Sequence, residues 1–201
     1  MGKTAEHLSR QSQRRRIGIF GGSFDPVHEG HLYLAGVAKE AVGLDEVWFI
    51  PCWISPHKTD RAPARGELRV KWLRLALQGI EWAKVNELEL KKGGVSYSYE
   101  TAESLVALHP NTEWYWIMGG DQWLDLPTWK FPHRLAAQVE FIVLARNGIE
   151  IKPRDGYRLH VVHGQHPASA TEIRLALAAG DPEIPFLHEG ILSMVAEGKI
   201  Q

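Results

Sequence analysis

Hydrophobic positions fall into short apolar runs separated by stripes of helical period. Ile17-Gly18-Ile19-Phe20, Glu46-Val47-Trp48-Phe49-Ile50, the run 113–118, the run 141–145 and Leu159-His160-Val161-Val162 read as buried strands. Leu68, Trp72, Leu75 and Ala76 form a core-facing stripe that predicts a helix over 67–79. Further helices are expected over about 28–41, 100–108, 131–137, 168–179 and 188–197, with Gly43 stopping the first. Residues 85–90 alternate apolar with polar and predict a half-exposed strand; residues 52–66, with Pro56 and Pro63, read as loop. Apolar strands alternating with helices predict an α/β fold. Its sheet is Rossmann-like, doubly wound and mostly parallel, with helices on both faces.

Composition narrows the picture. A chain of 201 residues with 44% hydrophobic residues suits one domain with a sizeable core, expected over 16–201. Residues 1–15, polar and basic, are expected to form a disordered tail. A formal net charge of −1 speaks against a broad nucleic-acid footprint, so no nucleic-acid partner is expected and any phosphate-binding charge must be local. Cys52 is the single cysteine, which excludes an intramolecular disulfide and fits a reducing, cytoplasmic setting. No apolar run approaches the ~18–20 residues needed to span a bilayer, and no membrane partner is expected. The oligomeric state, homo-oligomer included, is left open.

Three polar clusters follow strands: residues 21–31, Gly119-Gly120-Asp121, and residues 163–171. In open α/β sheets ligands sit beyond the carboxyl ends of the strands, so the three are expected to converge. The first, Gly21-Gly22-Ser23-Phe24-Asp25-Pro26-Val27-His28-Glu29-Gly30-His31, joins a strand to a helix N-terminus through two glycines. Unpaired N–H groups and the helix dipole make such a turn an anion site. It is neither the Gly-x-Gly-x-x-Gly fingerprint nor a Walker A loop. His28 and His31 suit phosphate binding, a metal, or packing. Near the C-terminus, Ser169 and Thr171 read either as helix caps or, with the forked donor of Arg174, as a polyphosphate clamp. His160, His163 and His166 are regularly spaced, but on a strand 160 and 163 point to opposite faces, which argues against a metal.

The loop, paired with Ser169-x-Thr171-x-x-Arg174, resembles the nucleotidyltransferase superfamily that carries an H-x-G-H motif and a C-terminal S/T-x-x-R motif. Pro56-His57-Lys58, Ser96-Tyr97-Ser98-Tyr99-Glu100-Thr101, Gly119-Gly120-Asp121, Leu126-Pro127-Thr128-Trp129 and Ala145-Arg146-Asn147-Gly148 are similar to the bacterial nicotinate-nucleotide adenylyltransferases within it. Ala168, Ala170, Ser98, Glu100 and Asn147 depart from that pattern.

The resemblance implies transfer of AMP from ATP to nicotinate mononucleotide, giving deamido-NAD and pyrophosphate, with Mg²⁺ accompanying ATP. It implies His28, His31 and Arg174 as catalytic residues. It puts Gly21, Gly22, Ser23, Phe24, Gly30, Gly119, Asp121, Ser169 and Thr171 around ATP, Asp121 on its ribose. Lys58, Tyr97, Ser98, Trp129 and Arg146 would hold the nicotinate nucleotide, with Trp129 stacked on its ring, and His166 would approach ATP. No protein metal site is implied. Alternatives on the same fold are nicotinamide mononucleotide or phosphopantetheine as acceptor, or a nucleotide-sensing or RNA-binding module.

Overall fold

The computed structural model describes residues 14–57, 62–145 and 150–196. Six strands form one sheet: β1 (Arg15–Gly22), β2 (Glu46–Pro51), β3 (Ala83–Val85), β4 (Thr112–Gly119), β5 (Glu140–Ala145) and β6 (Leu159–His163). They lie in the order β3-β2-β1-β4-β5-β6, and every pairing is parallel. The helices are α1 (Glu29–Val42), α2 (Gly66–Ala76), α3 (Leu88–Lys92), α4 (Ser98–Leu108), α5 (Gly120–Asp125), α6 (Pro132–Ala136), α7 (Ala170–Ala179) and α8 (Glu189–Ala196).

The continuous apolar strands are explained by burial on both faces. Phe20, Phe49, Tyr115, Ile117, Ile142 and Leu144 point to one core with Leu34 and Ala38 of α1, Trp72 and Leu73 of α2, Ile173 of α7 and Ile191 of α8. Their neighbours in sequence, Ile19, Ile50, Trp114, Trp116, Phe141 and Val143, point to the other core with Leu105 of α4, Trp123 of α5 and Leu135 of α6. Strict alternation along each strand therefore fixes a helical layer on either side. The strand order reverses between β1 and β4, so the crevice of a doubly wound sheet opens beside Gly21-Gly22 and Gly119-Gly120. Gly18 permits close packing there, since a Cβ would meet Ile117 Cδ1 and Leu44 Cδ1 at 2.8 Å.

Two expectations change. β1 already begins at Arg15, whose guanidinium pairs with Glu46 at 2.9 Å, and Arg16 donates to the Tyr115 hydroxyl at 2.9 and 3.0 Å. Both arginines thus belong to the sheet, while the rest of the expected tail, up to residue 13, lies outside the described residues. Residues 85–90 are not one strand. Asn86 N–H donates to Phe49 O at 2.9 Å, and its side-chain oxygen then accepts from Leu88 N–H at 2.9 Å, which turns the chain into α3. The alternation that looked strand-like arises because Leu88 packs on the second core, Leu90 lies over Gly66, and Glu89 between them turns inward.

Glu89 is 6% exposed and accepts from Thr101 Oγ1 at 2.6 Å. Burial raises its pKa above the ordinary 4.5, against the lowering effect of hydrogen bonds from Thr101 and Ser96. The folded state thus favours the protonated form. Its contribution is full below pH 4.5 and is lost as pH rises through the raised folded value. Glu89→Gln does not titrate. Its stability relative to the native chain should therefore increase as pH rises through that window, measured by urea unfolding at a series of pH values; a pH-independent difference would contradict the assignment.

Candidate active site

The loop between β1 and α1 is shaped by its own side chains. Phe24 is 2% exposed, with its ring against Phe20, Phe49 and His31 at centroid distances of 5.8, 5.6 and 5.2 Å. Seating the ring puts Phe24 at φ +48°, a left-handed conformation that costs a non-glycine residue about 1–2 kcal/mol. Burial of the aromatic side chain offsets this cost. Gly22 leaves room for it, since a Cβ would lie 3.1 Å from the Phe24 ring.

Sequence periodicity puts both histidines in the first helical turn. Instead His28 is the extended N-cap, with φ −146° and ψ 168°, and only His31 lies within α1. His28 N–H donates to His31 Nδ1 at 3.2 Å. With Nδ1 accepting, the proton of a neutral His31 belongs on Nε2, which makes that atom a donor. The two rings lie against each other with centroids 3.8 Å apart and planes tilted by 36°. Gly30 lies between layers, because a Cβ there would meet the His28 ring at 3.0 Å and Ala168 Cβ at 3.2 Å. The two end motifs are therefore in contact.

Three donors hold the loop from outside. Arg174 Nη1 donates to Asp25 O at 2.9 Å across 149 residues, while its Nη2 donates to Thr171 Oγ1 at 3.1 Å. Ala64 N–H donates to the Asp25 carboxylate at 3.2 Å. Arg69, on α2, donates from Nη1 to Ser23 O at 2.8 Å and from Nε to Ala64 O at 2.7 Å. Arg69 is 1% exposed, a cation beneath the loop. It was missed in the sequence although its position, three before Trp72 and four before Leu73, puts it on the buried stripe.

A cleft of about 470 Å³ opens at the reversal of strand order, within the range of about 300–1,000 Å³ usual for small-molecule sites. It gathers all three clusters. Gly21, Gly22, Ser23, Phe24, His28, Gly30 and His31 line it from the first, Gly119 and Asp121 from the second, and His166, Thr171 and Arg174 from the third. Gly119 makes room for the Asp121 carboxylate, whose Oδ1 would lie 2.5 Å from a Cβ at that position. Asp25, Ser55, His57 and Gln122 also line the cleft. Among the described residues no group of three or more His, Cys, Asp or Glu could hold a metal ion.

Ser169 is not among the residues that line the cleft. The helix begins at Ala170, so Ser169 is its N-cap and its hydroxyl accepts from Glu172 N–H at 3.5 Å. Tyr97, Ser98 and Trp129 line a second, narrow pocket with Pro56, His57 and Lys130. His57 borders both spaces, and its ring lies 5.4 Å from that of Trp129. Lys58 and Arg146 lie outside the described residues. His160 takes a structural partner instead, with Nε2 2.7 Å from Glu140.

Comparison with known proteins gives the family and the fold. The sequence model of the cytidylyltransferase-like family matches residues 19–176. A probable nicotinate-nucleotide adenylyltransferase of Listeria welshimeri is 36% identical over 86% of this chain and 91% of its own length. Its counterpart in Geobacillus kaustophilus is 40% identical over 90% and 84%. Among solved structures, a Plasmodium falciparum nicotinic acid mononucleotide adenylyltransferase complexed with APC superposes with a TM-score of 0.72. It is 17% identical, over 92% of this chain and 96% of that one. The complex of the same Plasmodium enzyme with NaAD gives a TM-score of 0.66 at 20% identity, over 81% and 84%.

The buried guanidinium is testable apart from any activity. Arg69→Met keeps the stem and strips the donors from Ser23 O and Ala64 O. Leaving partly buried carbonyls unmatched should lower stability by about 2 kcal/mol or more, read from denaturant midpoints. A midpoint equal to the native one would show that the clamp contributes nothing.

Proposed function

The chain belongs to the cytidylyltransferase-like family and, within it, to the nicotinate-nucleotide adenylyltransferases, and on that premise we propose that it transfers AMP from ATP to nicotinate mononucleotide, giving deamido-NAD and pyrophosphate in NAD biosynthesis. One observation carries the reading: donors from both ends of the chain meet over a single cleft that shares His57 with an aromatic pocket. The cleft suits a nucleoside triphosphate. Beside it, Tyr97 and Trp129 offer aromatic faces to a flat ring.

In this reaction an oxygen of the mononucleotide phosphate forms a bond to the α-phosphorus of ATP. The bond from that phosphorus to the bridging oxygen breaks, and pyrophosphate leaves with the electron pair. The attacking phosphate is largely ionised at pH 7, its second pKa being about 6. No general base is needed; aligning two anions and stabilising charge as it develops are the work to be done.

The donor set fits that task. His31 offers Nε2–H because its Nδ1 already accepts from His28 N–H. The His28 ring packs against it. Among the described residues Arg174 donates to Asp25 O and to Thr171 Oγ1, which fixes the guanidinium plane; its other N–H groups would serve the leaving phosphates. Gly21, Gly22, Ser23, Phe24, Gly30 and Thr171 complete the wall around the triphosphate, and the Asp121 carboxylate would accept from ribose hydroxyls. Ser169 contributes by starting α7. ATP arrives as its Mg²⁺ complex, an ion that keeps most of its waters and needs no carboxylate cage.

Trp129 would stack on the pyridine ring beside Tyr97 and Ser98, while Lys58 and Arg146 remain cationic candidates by resemblance alone. A cytoplasmic location accords with this role. Among the described residues, no helix is long and apolar enough to cross a membrane.

Purified protein with ATP, Mg²⁺ and nicotinate mononucleotide should release pyrophosphate and form deamido-NAD. Release with another phosphate acceptor but not with this one would overturn the substrate assignment. His31→Ala should lower kcat by about 10²–10³, the usual loss on removing one preorganised donor, with little change in circular dichroism. Near-native turnover would remove His31 from the chemistry.

A further inference from the structure

The narrow pocket lined by Tyr97, Ser98 and Trp129 has a volume of about 10 Å³, roughly room for one water. Side chains fill the rest. His57 lies against Trp129 at 5.4 Å, and Lys130 Nζ lies 4.1 Å from the centre of the Tyr97 ring. A pyridine ring stacking on Trp129 must therefore move His57 and meet Lys130.

Lys130 is exposed, but its surroundings are specific. Its ammonium rests over the faces of Tyr97 and, at 5.8 Å, Phe131. Among the described residues it makes no ion pair. Glu100, whose pKa the Lys130 charge helps to lower, is already bonded by Lys92 and by the Tyr99 hydroxyl at 2.8 Å. Of the described residues lining this pocket, Lys130 alone carries a fixed positive charge. A cation held on ring faces retains its N–H donors, so it can turn onto an incoming anion without breaking a salt bridge.

We infer that Lys130 is a specificity-determining residue, whose ammonium favours a carboxylate on the pyridine ring over the neutral carboxamide. The inference rests on the reaction proposed above, with Trp129 under the ring. A carboxylate turned toward Tyr97 and Ser98 accepts a charge-assisted hydrogen bond from Nζ. An amide there gains less, since its NH2 cannot accept and its carbonyl, though an acceptor, carries no charge.

The test measures pyrophosphate release by the full chain at saturating ATP and Mg²⁺. Nicotinate mononucleotide or nicotinamide mononucleotide is varied for the native protein, Lys130→Gln and Lys130→Arg. In the Gln variant the acid-over-amide ratio of kcat/KM should fall about tenfold, the worth of one charge-assisted hydrogen bond, with the loss in KM for the acid. The Arg variant, which keeps the charge, should hold the native ratio within about threefold. An unchanged ratio in the Gln variant overturns the inference. So does an equal fall for both substrates carried by kcat, which marks a structural role, or an Arg ratio as low as the Gln one. If the native protein releases pyrophosphate with neither nucleotide, the proposed function itself falls, and the inference with it. That outcome is distinct because it appears before any substitution is made.

Discussion

A guanidinium taken wholly out of water costs several kcal/mol unless its N–H groups find acceptors of good geometry. Arg69 finds Ser23 O and Ala64 O, at 2.8 and 2.7 Å. Those oxygens belong to the two segments that flank the cleft, the loop after β1 and the turn before α2. The cation can stay buried only while both segments remain where they are. The loop in turn carries His28 and presents its Asp25 carbonyl to Arg174. The position of the C-terminal motif therefore depends, through two backbone carbonyls, on a side chain that never reaches the cleft surface.

The same logic explains why several residues around the cleft are small. Gly22 admits the Phe24 ring, Gly30 admits the His28 ring and Ala168, and Gly119 admits the Asp121 carboxylate. Each glycine is required by a particular neighbour rather than by backbone freedom. The loop is consequently a packed object, with Phe24 as its own small core. Its donors are preorganised before any anion arrives.

Much of this was legible in the sequence, because burial on both faces writes strands as unbroken apolar runs and places polar clusters at their ends. The meeting of residues 21–31, 119–121 and 163–171 followed from that pattern once the sheet was parallel. What escaped has physical reasons. Residues 85–90 alternate in hydrophobicity, yet Asn86 diverts the chain into a short helix by a side-chain hydrogen bond that periodicity does not see. Arg69 was obscured because a cation on a helix is ordinarily on its wet side. Ser169 was ambiguous because a hydroxyl at a helix start serves equally as a cap or an anion ligand; in the structure it caps α7. Lys130 carried no signal, since its importance lies in the ring faces it touches across the chain, not in its neighbours in sequence.

His57 is a wall of the large cleft and also the ring that covers Trp129. A side chain that borders two cavities cannot be displaced in one without reshaping the other. Where a ligand in one space moves His57, the two occupancies are linked, and by thermodynamic reciprocity each ligand then changes the affinity of the other by the same factor. The sign depends on where the imidazole goes. An imidazole moved out toward solvent clears both spaces at once, whereas one swung into the cleft sets the two ligands in competition for the same volume.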